Sequence, residues 1–335
     1  MTNLKNKHCL VTGGAGFIGS HLVDQLLAKG CKVWVLDNLV NGKPENFAHH
    51  TTPDFRFIQG SVTDPLAVER AMVDIDVVFH LACLGVRQSI KHPFENHRVN
   101  SEGTLLLLDA AYRRKVLRFV HCSSSEVYGT ARYVPMNEDH PTLPSTVYGA
   151  SKLAGEAYTR AYHTTYGLET VIIRPFNTYG PRSHHEGDAG EMIPKSIVRA
   201  LNGKNILVFG DGSHTRDFTY VEDTARGLIV AAECDAMIGR TLNIGSNFEI
   251  SIRELAEKLV QMVGNPAASV EYMPARPGDV GRLYADPGKF GKLCPWRPQV
   301  DFDTGLARTI DYFRNHPAGI EKLLQEETGR NWDLA

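Results

Sequence analysis

The chain has 335 residues, of which 42% are hydrophobic and 22% are charged, and its formal net charge is -2. This length suits two domains, or one domain with a large appended lobe. The sequence contains no acidic or basic block, so we expect neither nucleic acid nor an anionic membrane as a partner.

The start of the chain and its cysteines predict the cellular compartment. Met1 to Lys7 is polar and no apolar run is long enough to span a membrane, so we expect no signal peptide and a cytoplasmic location. The six cysteines are scattered without paired spacing, which predicts free thiols in a reducing compartment. Because they never cluster, and because His184 and His185 have no thiol nearby, no metal site is expected.

Short β-branched runs alternate with helical patterns through the first half of the chain. Such alternation predicts right-handed βαβ crossovers and therefore an α/β fold with a doubly wound parallel sheet of the Rossmann type. The predicted strands are His8–Thr12, Lys32–Asp37, Phe55–Gln59, Val77–Leu81, Arg118–Ser123 and Glu169–Arg174. The predicted helices are Ser20–Lys29, Ala67–Val73, Glu95–Arg114 and Ser145–Tyr166.

After Gly180 this rhythm breaks, and proline, glycine and histidine become frequent. We therefore divide the chain into a Rossmann domain at 1–180 and a smaller C-terminal substrate-binding lobe at 181–335, woven into the edge of the sheet. The elements predicted in the second part are helices at Ile193–Asn202, Val221–Glu233 and Ile252–Val263, and strands at Ile206–Phe209 and Thr241–Ile244.

A glycine-rich loop lies between the first predicted strand and the first helix. Gly14 to Gly19 satisfies the pattern G-x-G-x-x-G, and Asp37 ends the next strand about 20 residues on. In that context the loop predicts a dinucleotide site, with the pyrophosphate at the helix N-terminus and the carboxylate on the ribose. A carboxylate repels a 2′-phosphate, so NAD is favoured over NADP. The plainer alternatives are a simple glycine turn and an Asp37 that only caps a turn.

A phenol and an ammonium group occur four residues apart at Tyr148 and Lys152, and so share one face of the predicted long helix. A nearby cation stabilises phenolate, and Tyr148 could then exchange a proton with a substrate hydroxyl. The segment from Ser123 to Gly129 follows the fifth strand, at the sheet edge where ligands bind in such folds. Taken alone, the pair is also compatible with an ordinary solvated helix face.

With these segments in view, the chain resembles the extended short-chain dehydrogenases/reductases of the nucleotide-sugar epimerase/dehydratase family, over residues 8 to 315. The resemblance rests on several motifs that occur in order with sensible spacing. They are VTGGAGFIGS at 11–20, FHLA at 79–82, Asn100 with Gly103 and Thr104, SSSEVYG at 123–129, YGASK at 148–152, RPFNTYGPR at 174–182, TRDF at 215–218 and RPGDV at 276–280.

The resemblance implies roles for individual residues. Tyr148 would take the 4-hydroxyl proton of a nucleotide sugar while hydride passes to NAD, Lys152 would bind the nicotinamide ribose, and Ser124 would bind the 4-oxygen. The implied cofactor-binding residues are Gly13, Gly16, Phe17, Ile18, Gly19, Asp37, Asn38, Ser61, Val62, Leu81, Ala82, Asn100, Ser123, Tyr148, Lys152 and Pro175. The implied substrate-binding residues are Arg87, Ser124, Ser125, Glu126, Asn177, Arg216, Arg276 and Arg282. Relatives often carry Asp where Ser61 follows Gly60, which leaves the adenine contact open.

Three reactions share this first step. A 4-epimerase returns hydride to the other face of the 4-keto sugar, a 4,6-dehydratase also removes the C5 proton, and a decarboxylase loses a C5 carboxylate. Glu126 would be the C5 base of a dehydratase, but its neighbour Ser125 cannot serve as the usual acid. We favour a 4-epimerase acting on a UDP-hexose or UDP-hexuronic acid, then a 4,6-dehydratase, then a UDP-glucuronate decarboxylase. The Gly85-Val86-Arg87 run resembles uronic-acid epimerases and would place Arg87 near an acidic sugar, but the plainer interpretation, which we favour, is that Arg87 pairs with an acidic residue across the cleft.

Two further expectations concern the whole protein. The fold also occurs in NAD-binding regulatory proteins, but an intact set of Ser124, Tyr148 and Lys152 argues for an enzyme. The two long predicted helices carry more apolar surface than one sheet face needs, and in relatives such a pair forms a four-helix bundle. A homodimer is therefore predicted.

Overall fold

The computed structural model describes residues 1–275 and 280–329. Its strands are β1 (His8–Thr12), β2 (Lys32–Asp37), β3 (Phe55–Gln59), β4 (Val77–His80), β5 (Arg118–Cys122), β6 (Thr170–Pro175), β7 (Asn177–Tyr179), β8 (Ile206–Phe209), β9 (Thr215–Tyr220), β10 (Thr241–Ile244), β11 (Glu249–Ser251), β12 (Val270–Met273) and β13 (Arg282–Leu283). Its α-helices are α1 (Phe17–Ala28), α2 (Pro65–Ala71), α3 (Val86–Lys91), α4 (Pro93–His97), α5 (Gly103–Arg113), α6 (Val147–Tyr166), α7 (Met192–Leu201), α8 (Val221–Glu233), α9 (Ile252–Val263), α10 (Gly288–Leu293), α11 (Phe302–Arg314) and α12 (Ile320–Glu326).

The central sheet has seven strands in the order β3-β2-β1-β4-β5-β6-β10, and every pairing is parallel. Successive side chains of a strand point to opposite faces, so both faces are apolar and both need cover. Val11 packs among α1 and α8 on one face, and Leu10 packs among α2 and α5 on the other. The predicted doubly wound α/β fold is confirmed.

The second layer is built around the short strands that follow β6. β9 pairs with β7, β11 and β13, while β8 pairs with β12. Helices α7, α9, α11 and α12 bury one apolar face each in a separate core that includes Ile197, Leu255 and Leu306. This layer stands beside the carboxyl end of β6, since β7 begins two residues after that strand ends.

The structure crosses the division predicted at residue 180. β10 pairs in parallel with β6 and so completes the central sheet, and α8 packs against α1. The chain therefore returns to the first layer after building β8 and β9. Chain order alone does not say which sheet a later strand joins.

The prediction of free cysteines throughout is wrong for one pair. Cys234, at the end of α8, and Cys294, at the end of α10, form a disulfide across a sequence separation of 60 residues. No spacing pattern in the sequence predicts this bond. The two thiols meet only in the folded chain, where α10 packs against β10. The remaining four cysteines are free.

Among the described residues, no helix combines the length and the apolar character that a membrane span requires. Within residues 1–275 and 280–329, one group of possible metal ligands occurs, formed by Asp24, His49 and His50. Both imidazoles lie against one oxygen of Asp24, at 3.1 and 2.7 Å, and the Arg182 guanidinium lies 2.8 Å from the other. A cation held there would face the fixed positive charge of Arg182, so hydrogen bonding and ion pairing explain this cluster.

Candidate active site

One cleft of about 470 Å³ lies at the carboxyl edge of the central sheet, between the two layers. It is lined by nearly all the residues expected to bind the cofactor. These are Gly13, Gly16, Phe17, Ile18, Gly19, Asp37, Asn38, Ser61, Val62, Leu81, Ala82, Ser123, Tyr148, Lys152 and Pro175.

The glycines of the first loop are required by close backbone approach. Gly13 has a φ of +71°, and a Cβ there would lie 2.7 Å from the Ala82 amide nitrogen. A Cβ on Gly19 would lie 2.1 Å from the Gly13 carbonyl oxygen. Glycine therefore lets α1 start directly against β1, and no side chain caps its first amides at Gly16. Those amides and the helix dipole suit a pyrophosphate.

Asp37 has two functions in this loop. Its carboxylate accepts hydrogen bonds from the Ala15 amide at 3.0 Å and the Leu39 amide at 2.8 Å, while the residue lines the cleft. Asp37 therefore caps the turn after β2 and also braces the glycine loop. The turn-capping alternative and the cofactor role are compatible, because a carboxylate has about four acceptor positions.

Asn100 stands apart from the other predicted cofactor residues. It is buried behind the cleft wall, where its side chain accepts from the Leu84 amide at 2.9 Å. It donates to the Leu84 carbonyl at 3.0 Å and to the Ser151 hydroxyl at 3.0 Å. The structure thus places Asn100 as a brace between α6 and the loop after β4.

The three residues expected to carry catalysis meet in the cleft from two elements. Ser124 follows β5, and Tyr148 and Lys152 lie in the first turns of α6, whose start is capped by Thr146 accepting from the Gly149 amide at 3.1 Å. The Ser124 hydroxyl lies beside the Tyr148 side chain, where it lowers the pKa of the phenol. The Lys152 ammonium is buried and donates to the Cys122 carbonyl at 2.8 Å.

The electrostatics of the site act mainly on Tyr148. Burial raises the pKa of its phenol well above the usual value, and the neighbouring Cys83 and Glu126 raise it further. The hydrogen bond from Ser124 lowers that pKa, because a donor favours the phenolate. In the protein alone, Tyr148 is therefore a neutral phenol, and a positive charge placed in the cleft would favour its ionisation.

The predicted substrate residues are only partly brought together. Arg87, Ser125, Glu126, Asn177 and Arg216 line the cleft. The side-chain amide of Asn177 donates to the Asp217 carbonyl at 3.3 Å, which places Asn177 beside β9. Arg216 lies on β9 and donates to the Thr215 carbonyl at 2.8 Å.

The other two predicted arginines do not add to this group. Arg282 lies outside the cleft lining, half-exposed, and its guanidinium pairs with Glu249 at 2.6 and 2.7 Å. Arg276 lies outside the described residues.

Several cleft residues escaped the sequence prediction, and most come from the second layer. Glu191 immediately precedes α7 and lines the cleft. Desolvation by the surrounding protein raises the pKa of its carboxyl to about 7, while part of the side chain remains exposed toward the cleft. The helical pattern of α7 was recognisable, but its approach to the cofactor layer was not. Other members include Cys83, Gln88, Lys195, Ser196, Arg199, Phe209, His214 and Phe218.

The structure thus combines a dinucleotide loop with a serine, tyrosine and lysine set at the carboxyl edge of a parallel sheet. This combination defines the class of NAD-dependent short-chain dehydrogenases/reductases that modify nucleotide sugars. Residues 10–309 match the family model described as GDP-mannose 4,6 dehydratase, and the chain belongs to that family.

Individual relatives resemble almost the whole chain. A UDP-glucose 4-epimerase of Mycolicibacterium smegmatis is 39% identical over 310 residues, which are 91% of this chain and 98% of the relative. A dTDP-glucose 4,6-dehydratase of an Actinoplanes species is 36% identical over 315 residues, with 91% and 97% covered.

Solved structures give the same result. An epimerase from Methanothermobacter thermautotrophicus superposes with a TM-score of 0.91 at 35% identity, covering 95% of both chains. A dTDP-glucose 4,6-dehydratase of Streptomyces venezuelae, with NAD bound, gives 0.88 at 36% identity, covering 94% of this chain and 99% of the other. NAD is accordingly the cofactor, and the glycine loop, Asp37 and Lys152 fit it.

Proposed function

We propose that this protein is an NAD-dependent 4-epimerase of nucleotide-diphosphate sugars that works through a 4-keto intermediate. The observation that carries the proposal is the meeting of Ser124, Tyr148 and Lys152 at the cofactor cleft, which all three residues line. Relatives named as UDP-glucose 4-epimerases support this reaction.

Tyr148 would remove the proton of the sugar 4-hydroxyl, and Ser124 would donate a hydrogen bond to the same oxygen. Bound NAD would supply the acceptor for the hydride that leaves C4 and would return it, so it would be unchanged after each turnover. Between the two transfers the ketone would turn over in the cleft and present its opposite face, and Tyr148 would return the proton to the 4-oxygen.

The rest of the substrate would lie toward the second layer. Arg216 and Asn177 flank that end of the cleft and would contact the diphosphate, since a guanidinium presents paired donors to phosphate oxygens. Arg87, on α3, would contact the sugar and would favour an acidic one. The sequence resemblance assigns Arg276 to the diphosphate as well, but this residue lies outside the described part of the chain.

A 4,6-dehydratase is the second candidate, and Glu126 favours it. This carboxylate lines the cleft two residues after Ser124, where it could remove a C5 proton. The residue beside it is the buried Ser125, which is a poor acid for expelling a C6 hydroxyl. Epimerisation needs no such acid, and we prefer it for that reason.

Incubation of the purified protein with a panel of UDP-, dTDP- and GDP-sugars, followed by chromatography and mass spectrometry, tests the proposal. A product of unchanged mass at a new elution position indicates an epimerase. Loss of one water indicates a dehydratase, and loss of one carbon dioxide indicates a decarboxylase. Turnover of none of these sugars would contradict the proposed function.

We further propose a homodimer formed through α5 and α6. The two helices lie side by side and leave Leu105, Tyr112 and Tyr166 exposed. The rings of Tyr112 and Tyr166 contact each other in a tilted arrangement with centroids 5.1 Å apart, which makes one aromatic patch of side chains from both helices. Two such helix pairs would form a four-helix bundle.

A further inference from the structure

A buried ion pair lies directly behind the catalytic residues. Glu156, on α6, is fully buried, and Arg174, on β6, is 4% exposed. The guanidinium binds the carboxylate through two hydrogen bonds, from Nε at 2.7 Å and from a terminal nitrogen at 2.6 Å. Neither residue lies at the surface of the cleft, so neither can touch a substrate there.

Glu156 also holds the end of β5. Its carboxylate accepts from the Ser123 hydroxyl at 2.6 Å, one residue before Ser124. One helical turn earlier, the Lys152 ammonium donates to the Cys122 carbonyl at 2.8 Å. Two consecutive residues of the β5 end are therefore bound to two consecutive turns of α6, and the two elements cannot slide past each other without breaking both bonds.

Arg174 extends the connection to the far side of the same loop. Another terminal nitrogen donates to the Tyr128 hydroxyl at 2.8 Å, and that hydroxyl donates to the Asn243 side chain on β10 at 2.7 Å. The loop that carries Ser124 and Glu126 is thus held at both ends, at Ser123 and at Tyr128. All these polar groups are buried, so water cannot replace a lost bond without rearrangement.

We propose that Glu156, held by Arg174, is a positioning residue that sets the distance between Ser124 and Tyr148. The proposal rests on the catalytic roles given to those two residues above. Buried ion pairs contribute little net stability compared with apolar side chains of similar size. The effect of this pair is then to fix the register between β5 and α6. That register keeps the Ser124 hydroxyl beside the Tyr148 phenol, where the hydroxyl favours the phenolate.

The nearly isosteric variant Glu156→Gln tests the proposal. We expect kcat to fall by roughly 10²-fold, as for a displacement of about 1 Å at a reacting centre, while KM changes little. The acidic limb of the kcat–pH profile should move to higher pH, because a displaced Ser124 no longer favours the phenolate.

Two further variants separate positioning from mere stability. Glu156→Leu with Arg174→Met removes both buried charges and leaves only Arg160, whose half-exposed guanidinium lies 3.1 Å from Glu156 in the wild type and can be hydrated instead. The double variant should therefore recover much of the thermal stability that Glu156→Gln loses, but kcat should stay low. Arg118→Met is the matched control, because Arg118 is a buried cation at the other end of β5 that pairs with Glu169 at 2.6 Å. It should lower stability and leave the pH profile unchanged. If the double variant regains kcat together with stability, Glu156 is structural only and the proposal is wrong.

A readout without substrate keeps this test independent of the proposed function. In the NAD-loaded protein, ultraviolet difference titration of each protein against its own Tyr148→Phe counterpart reports the ionisation of that one phenol. Glu156→Gln should raise the Tyr148 pKa, whereas Arg118→Met should not. An unchanged Tyr148 pKa in Glu156→Gln would overturn the positioning role even if no nucleotide sugar is turned over. A raised pKa without turnover by the wild type would overturn only the proposed reaction.

Discussion

Opposing influences act on the pKa of the Tyr148 phenol. Burial and three neighbouring groups, Cys83, Cys122 and Glu126, raise its pKa, and the Ser124 hydroxyl lowers it. A base that starts as a neutral phenol can act near neutral pH only if positive charge is added beside it. The nicotinamide ring of bound NAD would add that charge, in a cleft that already holds the Lys152 ammonium.

Replacement of Tyr148 by Phe should remove the proton acceptor without changing the shape of the cleft. We expect kcat to fall by roughly 10²- to 10⁴-fold, the usual contribution of a positioned acid or base. NAD should remain bound, since the glycine loop and Asp37 are unchanged. Product analysis gives the first quantity and release of NAD from denatured protein gives the second. Full activity in this variant would exclude Tyr148 as the base.

Ser124→Ala should shift the pH dependence in a defined direction. Activity needs the phenolate, so kcat falls as the pH drops below the Tyr148 pKa. The hydrogen bond from Ser124 lowers that pKa, and its loss therefore raises it. The acidic limb of the kcat–pH profile should move to higher pH, with the loss of activity greatest at low pH. A limb that moves to lower pH, or a uniform loss at all pH values, would contradict this role.

At the scale of elements, the junction of β1 and α1 depends on the absence of one side chain. A Cβ at Gly19 would lie 2.1 Å from the Gly13 carbonyl oxygen, so Gly19→Ala must displace the start of α1. We expect loss of bound NAD. Gly291→Ala on α10 is the control, because its Cβ would find the nearest heavy atom 3.6 Å away. That variant should keep NAD and be as stable as the wild type or slightly more so. Retained NAD in Gly19→Ala would refute the close-approach argument.

The strands of the first layer could be predicted to within one residue at each end, because most of them are short apolar runs that are almost fully buried. β9 (Thr215–Tyr220) could not be predicted, because it contains the charged residues Arg216 and Asp217 and shows no sustained alternation of apolar and polar residues. Asp217 is tolerated there because its carboxylate accepts from the Ser246 hydroxyl at 2.7 Å and the Ser246 amide at 2.8 Å. Such compensation is a tertiary feature that strand propensity does not contain.

The disulfide between Cys234 and Cys294 can be tested by counting the free thiols of the unfolded chain. Unfolding without reductant should expose four thiols to an alkylating reagent instead of six. Closing a 60-residue separation also restricts the unfolded chain, and Cys294→Ala should lower the free energy of unfolding by about 4 kcal/mol at most. Cys31→Ala, at a buried free thiol, is the control for loss of packing alone. Six reactive thiols would show that the bond does not form.

At the scale of the whole molecule, the site exists only where the two layers meet. Motifs in the first layer predicted the cofactor loop and the catalytic set, because those motifs lie at the carboxyl ends of recognisable strands. The opposite wall depends on how β9 and α7 are placed, which the sequence does not specify. The resemblance assigned both Arg216 and Arg282 to the substrate, but only Arg216 lines the cleft, and Arg282 pairs with Glu249 instead. Residues chosen by motif are therefore most secure where the same strand also forms the core.

The exposed patch on α5 and α6 leads to a prediction about assembly. Leu105, Tyr112 and Tyr166 are 39%, 44% and 51% exposed on adjacent helices, and a second copy would cover them. The wild type should sediment as a dimer of the 37.1 kDa chain at micromolar concentration. Tyr112→Glu should dissociate it, because the partner would bury an unpaired carboxylate. Tyr272→Glu, at an equally exposed tyrosine on β12, should leave the dimer intact. A wild type that sediments only as a monomer would exclude this interface, whereas dissociation by Tyr272→Glu but not by Tyr112→Glu would move it to the second layer.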